Sequence, residues 1–394
     1  MRIRFCHIQV AALILALAAA VVRPAVAQQL QSTVPNSGVE AVRQALAPLG
    51  MQRRANVPEV FKGIYLSFWS ASLSSRVDNV IQLAQDGLIN AVVIDVKGAM
   101  GRVAFDSKVP QAVEYRSRER IISDLGALVR KLRAGGLHVV ARIVTFNDPM
   151  LARARPDLAV HSRALLDEKG PQLSAETFWQ DERGLLWVDP GSREAWDYNI
   201  AIAKDALSRG VDEVNFDYIR FPSGGSLSDM HLPVTAEDEP RRDVIVRFFK
   251  YLREQLPDAR LSADLFGLVT VARDDLGIGQ VIEDALPYFD ALCPMVYPSH
   301  YAEGFYGFEN PAEHPYEVVN YSMRLAKERL RAHAATAPQR AELIPWLQDF
   351  SIGAEYDADM VRAQIRAVSD ALGEDYRGFL LWSPKNEYST AALR

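Results

Sequence analysis

The sequence has 394 residues, of which 49% are hydrophobic and 24% are charged, and its formal net charge is −6. This is the composition of a globular protein, and it excludes a disordered or collagen-like chain. The pI near 5.7 indicates no basic surface for nucleic acid, so we expect no nucleic-acid partner.

The first residues have the layout of a secretory signal peptide. Two arginines precede an apolar run from Val10 to Val22, and Ala25 and Ala27 form an A-x-A cleavage site. The apolar run is short for a membrane span. We expect removal of residues 1–27 after Ala27, no stable membrane span afterwards, and a periplasmic or secreted protein. The alternative is an uncleaved N-terminal anchor.

Residues 28–58 are predicted to form an N-terminal arm. It contains one short helix, with Ser37 as the N-cap and Gly50 as the stop. Cys293 would be the only thiol left after cleavage, so no internal disulfide can form. Its neighbours in the sequence are apolar, which predicts a buried small hydrophobic residue and not a nucleophile.

From residue 59 to residue 394, short strand-like runs alternate with segments of helical period. The eight predicted strands are Lys62–Trp69, Asn90–Lys97, Leu137–Phe146, Val211–Phe221, Arg260–Gly267, Tyr288–Pro298, Ala341–Phe350 and Tyr376–Pro384. Such alternation indicates right-handed parallel crossovers. Eight units of this kind predict an α/β protein with a closed (β/α)8 TIM barrel in a single domain. An open doubly wound sheet is the alternative, but no glycine fingerprint follows the first strand.

The longest insertions follow the third, fourth and sixth predicted strands. They span Asn147–Trp187, Ser223–Pro240 and Ser299–Pro315. All three come after C-terminal ends of strands, where the active-site loops of a TIM barrel are built.

Polar and aromatic residues gather at those same C-terminal ends. Because alternate side chains of a strand share a face, Asn215 lies with Asp217, and Ser262 lies with Asp264 on the next strand. The other candidates at or just beyond strand ends are Asp95, Lys97, Arg220, Tyr297, Gln348, Asp349 and Trp382.

Asp217 and Asp264 are predicted to be the catalytic residues. A carboxylate inside a barrel is costly unless it is paired or used. Adjacent strands can hold two carboxyls at the separations of glycoside hydrolysis, about 5–5.5 Å for retention or about 6.5–9.5 Å for inversion. The structural alternatives are an ion pair of Asp217 with Arg220 or Lys97, and helix capping by Asp264.

The remaining candidates are predicted to bind substrate. Aromatic side chains would stack on sugar faces, and cations would bond hydroxyls or keep Asp217 ionised. The predicted substrate-binding residues are Asp95, Lys97, Asn215, Arg220, Tyr297, Gln348, Asp349 and Trp382. For Asp95 the alternative is a structural pair with Lys97.

Other hydrolytic chemistries lack their motifs. The seven histidines are scattered, with no H-E-x-x-H and no cysteine cluster, so we expect no metal and no other cofactor. No G-x-S-x-G elbow of a serine esterase is present. Acid/base chemistry by carboxylates is the class that remains.

Several motifs, taken in order, resemble a bacterial family of glycoside hydrolase domains grouped with the TIM-barrel glycosidases. They include "KGIYLSFWSA", "VVIDVKGAMGRVAFDS", "NFDYIRFPSGG", "SADLFG", "CPMVYPSHY" and "LLWSPKNEY". The resemblance extends from Phe61 to about Tyr388. It implies that Asp217 is the principal catalytic carboxylate, that Asp264 sits in the strand-five motif, and that Tyr297 and Trp382 line the cleft.

Two functions follow as hypotheses. The first is a secreted or periplasmic glycoside hydrolase that cleaves a polysaccharide or oligosaccharide with two carboxylates. The second is a non-catalytic carbohydrate-binding barrel of the cell envelope. The separation of the Asp217 and Asp264 carboxyl groups and the presence of a cleft distinguish them.

Overall fold

The computed structural model describes residues 57–336 and 341–394. The predicted signal peptide (residues 1–27), almost all of the predicted arm (residues 28–58) and the predicted helix within that arm lie outside these residues. Among the described residues, no helix is both long enough and apolar enough to span a bilayer.

Eight parallel strands form the barrel. In chain order they are β1 (Phe61–Leu66), β2 (Ala91–Lys97), β3 (His138–Val144), β4 (Glu213–Asp217), β5 (Arg260–Phe266), β6 (Ala291–Met295), β7 (Trp346–Gln348) and β8 (Gly378–Trp382). Each strand pairs with the next, and β8 pairs with β1. This pairing closes the sheet, so the predicted (β/α)8 barrel is confirmed and the open sheet is excluded.

Helices carry the chain from each strand to the next. The crossover helices are α1 (Ser74–Gln85), α2 (Leu125–Ala134), α3 (Arg193–Ser208), α4 (Arg241–Gln255), α5 (Ile282–Ala285), α6 (Pro315–Ala334) and α7 (Ala358–Leu372). Capping sets several of their starts: Ser192 accepts the Ala195 N–H before α3, and Asp357 accepts two N–H groups before α7. In the described chain, a 3₁₀ turn at Thr390–Ala392 follows β8 in place of an eighth helix.

Shorter elements lie in the connections between the barrel strands and the crossover helices. Four short helices span Phe68–Ala71, Pro110–Glu114, Pro149–Ala154 and Arg163–Lys169. Further short strands are Val103–Phe105, Arg118–Ile122, His161–Ser162, Met230–His231 and Glu342–Leu343. The pair His161–Ser162 and Met230–His231 is antiparallel and joins the insertion after β3 to the insertion after β4. The two insertions therefore form one connected structure above the C-terminal ends of these strands.

The strands separate two apolar clusters, as their alternating pattern requires. The outer cluster packs strand residues such as Val214 and Phe216 against the helices. The inner cluster lies inside the barrel and includes Tyr65, Cys293 and Trp346. Cys293 is buried there, in agreement with its predicted packing role.

The predicted fourth strand is too long at its C-terminal end. It was expected to reach Phe221, but β4 ends at Asp217. The next residue, Tyr218, has a φ of 53°, a left-handed conformation that costs energy for a residue with a side chain and cannot continue a strand. The turn at Tyr218 therefore fixes where Asp217 stands relative to the loop that follows.

Candidate active site

A cavity of about 430 Å³ opens at the C-terminal ends of the barrel strands. Both predicted catalytic residues line it, and so do three of the predicted substrate-binding residues. These five are Asp217, Asp264, Arg220, Tyr297 and Trp382. The C-terminal face is where TIM-barrel enzymes carry their active sites, so we treat this cavity as the candidate active site.

Arg142, on β3, connects the carboxylates of three strands. Its Nη2 donates to Asp217 Oδ2 at 2.5 Å and its Nη1 to Asp95 Oδ1 at 2.5 Å. Its Nε lies 3.2 Å from Asp217 Oδ2 and 3.6 Å from Asp264 Oδ2. All four residues are at most 5% exposed. Buried charges need such partners, because an unpaired one would be costly.

One guanidinium cannot balance three ionised carboxylates, and the titration of Asp264 reflects this. Burial and the nearby charge of Asp217 raise the pKa of Asp264 to about 8, although Arg142 partly opposes them. Burial also raises the pKa of Asp95. Burial disfavours the charged form of Arg142, but Asp95 and Asp217 outweigh it and raise its pKa further. Burial therefore favours a protonated Asp264 beside a charged Arg142.

The Asp264 carboxyl group is held on one side by neutral donors. Its Oδ1 accepts hydrogen bonds from Asn215 Nδ2 at 2.8 Å and from Trp346 Nε1 at 2.7 Å. Asn215 also donates to Ser262 Oγ at 3.2 Å. These bonds leave Oδ2 as the Asp264 oxygen with capacity to carry the proton.

The two predicted catalytic carboxyls are close together. Asp217 Oδ2 and Asp264 Oδ2 both lie near Arg142 Nε, at 3.2 and 3.6 Å. The two oxygens therefore cannot be further apart than the sum of these distances. That limit admits the spacing of retaining glycosidases, about 5–5.5 Å, and reaches only the lower end of the inverting range, about 6.5–9.5 Å.

The backbone after Asp217 takes part in orienting its carboxyl group. The Tyr218 N–H donates to Asp217 Oδ1 at 2.6 Å. With Arg142 on Oδ2, both oxygens of Asp217 accept hydrogen bonds from charged or backbone donors. Charge-assisted hydrogen bonds of this kind fix the orientation of the carboxyl group. The left-handed Tyr218 is thus the kind of backbone outlier that clusters at active sites.

Aromatic side chains form one wall of the site. Trp382 stacks on Tyr65, with ring centroids 3.9 Å apart, and the Arg142 guanidinium carbon lies 5.1 Å from the Trp382 ring centroid. Tyr65 donates to Asp95 Oδ2 at 2.6 Å. Tyr297 contacts His300 edge-on at 5.2 Å. Flat apolar faces beside carboxyl groups suit the binding of sugar rings.

The predicted placement of Lys97 is wrong. A register shift in β2 falls between Asp95, which pairs with Arg142, and Lys97, which pairs with Ile143. This irregularity takes Lys97 off the face that Asp95 occupies. Its Nζ is fully buried and forms an ion pair with Asp148 Oδ2 at 2.8 Å. The suggested pairs of Lys97 with Asp95 and with Asp217 are therefore absent from the described structure.

Four other predicted substrate-binding residues do not line the cavity. Asp95 and Asn215 lie behind it and contact Arg142 and Asp264. Gln348 accepts from the Ser299 N–H at 3.2 Å and so fixes the loop that carries His300. The Asp349 carboxylate accepts from the Ser389 N–H and hydroxyl, both at 2.8 Å, and its backbone N–H donates to the Trp382 carbonyl oxygen at 3.0 Å. The predicted pair of Asp217 with Arg220 does not form either, since Arg142 takes that position.

Sequence reasoning missed several residues that line the cavity. Arg142 was the most informative of them, because a charged residue in "HVVARIV" is unusual in a buried strand. Other lining residues come from the insertions, where there is no strand alternation from which the direction of a side chain could be predicted. The unpredicted lining residues include Arg142, Arg183, Trp187, Tyr218, Phe266 and His300.

Over the described residues, no group of three or more His, Cys, Asp or Glu side chains is arranged to hold a metal ion.

Residues 63–388 match the family model described as "Putative glycosyl hydrolase domain". The chain belongs to this glycosyl hydrolase domain family. The matched range contains all the cavity residues named above, and it confirms the resemblance drawn from the motifs. Membership in the family supports a hydrolase with a carbohydrate substrate.

Solved structures with similar folds include glycoside hydrolase domains. The glycoside hydrolase domain of PgaB (BpsB) from Bordetella bronchiseptica has a TM-score of 0.56 at 13% identity, and the match covers 83% of this chain and 95% of that one. A hypothetical protein from Ruminiclostridium thermocellum is 32% identical, with a TM-score of 0.45, over 55% of this chain and 98% of its own. The PgaB likeness shows the barrel fold. No curated protein matches the sequence.

Proposed function

We propose that the protein is a glycoside hydrolase that cleaves the O-glycosyl bonds of a polysaccharide, with Asp217 and Asp264 as its catalytic pair. One observation carries this proposal: two carboxyls from adjacent strands share Arg142, face one cavity, and accept hydrogen bonds from different donors, while burial raises the pKa of Asp264. Pairs of carboxyls whose environments separate their pKa values divide the acid and base roles between them.

Asp264 is the general acid. Its protonated Oδ2 gives a proton to the glycosidic oxygen as the bond to the anomeric carbon breaks, so the leaving sugar departs as a neutral alcohol. Asp217 is the nucleophile. Its ionised carboxylate, held by Arg142 and the Tyr218 N–H, stabilises the oxocarbenium-like transition state and bonds to the anomeric carbon.

The second half of the reaction reverses the role of Asp264. The carboxylate of Asp264 removes a proton from water, the water oxygen attacks the anomeric carbon, and the Asp217 carboxylate leaves. The product then keeps the anomeric configuration of the substrate. The limited separation of the two carboxyl oxygens supports this retaining course over an inverting one.

A non-catalytic carbohydrate-binding barrel is the second candidate. It is favoured by the engagement of both Asp217 oxygens with Arg142 and Tyr218 and by the 4% exposure of Asp217. A structural ion-pair network perturbs pKa values as an active site does. Under this second function the cavity would bind a saccharide and leave it intact.

We also propose that the protein acts outside the cytoplasm, in the periplasm or after secretion. The support is the arrangement of arginines, apolar run and A-x-A site in residues 1–27. N-terminal sequencing of the protein from a periplasmic fraction should begin at Gln28, whereas an intact N-terminus would favour the uncleaved anchor.

The enzymatic proposal is tested by a screen for new reducing ends. The purified mature protein and its Asp217→Asn variant are incubated with bacterial exopolysaccharides, peptidoglycan, and α- and β-linked glucans. We expect the wild type to release reducing ends from one substrate class and the variant to be slower by a factor of at least about 10³, because a neutral amide cannot serve as the nucleophile.

Asp212→Asn is the matched control, since Asp212 immediately precedes the same strand and accepts the Val139 N–H at the opposite end of the barrel. It should retain cleavage. Binding without cleavage by the wild type and Asp217→Asn alike would establish the carbohydrate-binding function in place of hydrolysis.

A further inference from the structure

Arg220 lines the cavity without a carboxylate partner. Its Nη1 donates to the Phe221 carbonyl oxygen at 2.9 Å and to Ser223 Oγ at 3.1 Å. Within the part of the chain that the structure describes, no acidic oxygen lies within ion-pair distance of it. A half-buried guanidinium is costly to leave without a counter-ion, so this charge requires an explanation.

Three aromatic rings hold the Arg220 guanidinium in place. Its central carbon lies 5.1 Å from the ring centroid of Trp187, 5.2 Å from that of Tyr218 and 5.5 Å from that of Phe266. Cation–π contacts of this kind fix a side chain without neutralising its charge. Burial lowers the pKa of Arg220, although the nearby groups of Tyr218, Asp217 and Asp181 partly oppose it. The group is pre-organised and open to a ligand.

A second cation lies on the same rim. Arg183 lines the cavity on a loop held by Asp181, whose Oδ1 accepts the N–H groups of Arg183 and Leu185, both at 2.9 Å. Asp181 Oδ2 accepts Trp187 Nε1 at 3.0 Å. The Asp181 carboxylate therefore hydrogen-bonds within the loop and to Trp187. In the described part of the chain, the Arg183 guanidinium forms no ion pair.

The acidic groups of the cavity form no ion pairs with these two cations. Asp217 is paired with Arg142, and burial favours the protonated form of Asp264 by raising its pKa. Glu182 is the remaining carboxylate on the rim, where it is exposed and packs against Gly224. The guanidinium groups of Arg183 and Arg220 therefore lie beside the proposed catalytic pair with no carboxylate in ion-pair contact among the described residues.

We propose that Arg220, assisted by Arg183, binds an anionic substituent on the substrate, so that the saccharide cleaved is an acidic one. This inference rests on the proposed glycosidase function and names its substrate class. A carboxylate of a uronic acid and a sulfate ester share the chemistry that a guanidinium recognises, namely two or more acceptor oxygens with negative charge.

The test measures binding by calorimetry in the Asp217→Asn background, so that ligands are not consumed. The probes are oligosaccharides of galacturonate and of glucuronate, the same oligosaccharides after chemical reduction of their carboxyls to alcohols, and sulfated galactan oligosaccharides. We expect at least one acidic probe to bind and its affinity to fall at least about tenfold on carboxyl reduction or desulfation, the usual effect of losing a charge-assisted hydrogen bond.

Arg220→Gln should cause a comparable loss, at least about tenfold, and only for the acidic probes. Arg183→Gln should weaken the same probes less. Because Arg183 is exposed, we expect this variant to fold, and it keeps the test valid if Arg220→Gln does not fold. Arg241→Gln is the matched control: Arg241 also lies over an aromatic ring, at 5.3 Å from Phe221, and donates to a backbone carbonyl, but is not part of the cavity lining.

Equal affinity for acidic and reduced probes, equal binding by Arg220→Gln, or an equal loss in Arg241→Gln would overturn the inference, as would no binding of any acidic probe. Preference for uronates identifies a carboxylate, and preference for galactan sulfates identifies a sulfate. Cleavage of a neutral glycan with no binding of acidic probes leaves the proposed hydrolysis standing and refutes this inference alone. Arg220-dependent binding of an acidic probe that the wild type does not cleave would support the anion-binding role of Arg220 and refute the proposed hydrolysis.

Discussion

At the scale of single residues, the site is defined by how charge is shared around Arg142. Three carboxyls surround one guanidinium, and burial makes it unfavourable for all three to ionise. Asp217 receives the strongest donors, from Arg142 and the Tyr218 N–H, whereas Asp264 receives neutral donors from Asn215 and Trp346. The two carboxyls are therefore chemically different although their residue type is the same.

The pH dependence of hydrolysis tests this difference. Because the general acid must hold its proton, kcat/KM should be maintained below pH 8 and fall as the pH rises through the Asp264 pKa of about 8. Asp264→Asn should lose this alkaline limb and cleave the polysaccharide about 10²–10⁴ times more slowly.

Dinitrophenyl glycosides of the same sugar provide the control, since their leaving group needs no proton. Asp264→Asn should lose much less activity on the formation of the glycosyl-enzyme from these substrates than on the polysaccharide. An alkaline limb that persists in Asp264→Asn would show that another group titrates.

At the scale of secondary-structure elements, the strand and helix pattern was sufficient to predict the barrel, because each strand alternates between helix-facing and interior residues. The same pattern located Asp217 and Asp264. It failed where the backbone departs from regularity. The irregularity between Asp95 and Lys97 changes the environment of Lys97, and the left-handed Tyr218 ends β4 early. Neither the register shift nor the left-handed residue can be predicted from the alternation of apolar and polar residues.

The insertions could not be predicted for a different reason. Trp187 and Arg183 reach the cavity through loop conformation, set by contacts such as those of Asp181. Arg142 was detectable in the sequence as a charged residue within an apolar strand. Its partners lie on neighbouring strands, so they become apparent only in the closed barrel.

The buried ion pair between Lys97, which follows the β2 irregularity, and Asp148 leads to a prediction about stability. Lys97→Met leaves Asp148 buried without its cation, so the free energy of unfolding should fall by about 3–5 kcal/mol. The double variant Lys97→Met/Asp148→Asn should recover part of this loss, because the remaining charge is removed and an Asn side-chain oxygen can still accept the Met150 and Leu151 N–H groups.

Urea unfolding of the wild type, both single variants and the double variant gives the coupling energy directly. Additive losses would mean that Lys97 and Asp148 contribute independently. A large rise in KM for Lys97→Met with unchanged stability would restore the substrate-binding role that the sequence suggested.

At the scale of the whole molecule, the two ends of the barrel perform different tasks. Glu213 and Asp217 share the interior face of β4, one at each end of the strand. Glu213 accepts from Arg260 Nε at 2.7 Å and lies 3.3 Å from His138 Nε2, forming an ion cluster at the end opposite the cavity. Barrel enzymes commonly separate stability and catalysis between the two faces in this way.

The ion cluster should make stability depend on pH. Burial favours the neutral acid, but Arg260 and His138 overcome it and lower the pKa of Glu213 to about 2, from a usual value of 4.5. The stabilisation, about 3 kcal/mol, is therefore present above pH 4.5 and is lost as the pH falls through 2. Glu213→Gln should be less stable than the wild type by about this amount at pH 7, and the difference should shrink at pH 3. A difference that is the same at both pH values would exclude the ionic origin.

The assignment of the two carboxyls is the central claim, and rescue by azide tests it most directly. The substrate is an activated aryl glycoside of the sugar identified by the screen, and NMR gives the configuration of the glycosyl azide formed. With Asp217→Ala, azide replaces the missing nucleophile and the product should have the configuration opposite to the substrate. With Asp264→Ala, azide attacks the glycosyl-enzyme and the product should keep the substrate configuration. The same configuration from both variants, or unimpaired hydrolysis by Asp217→Ala without azide, would contradict the assignment.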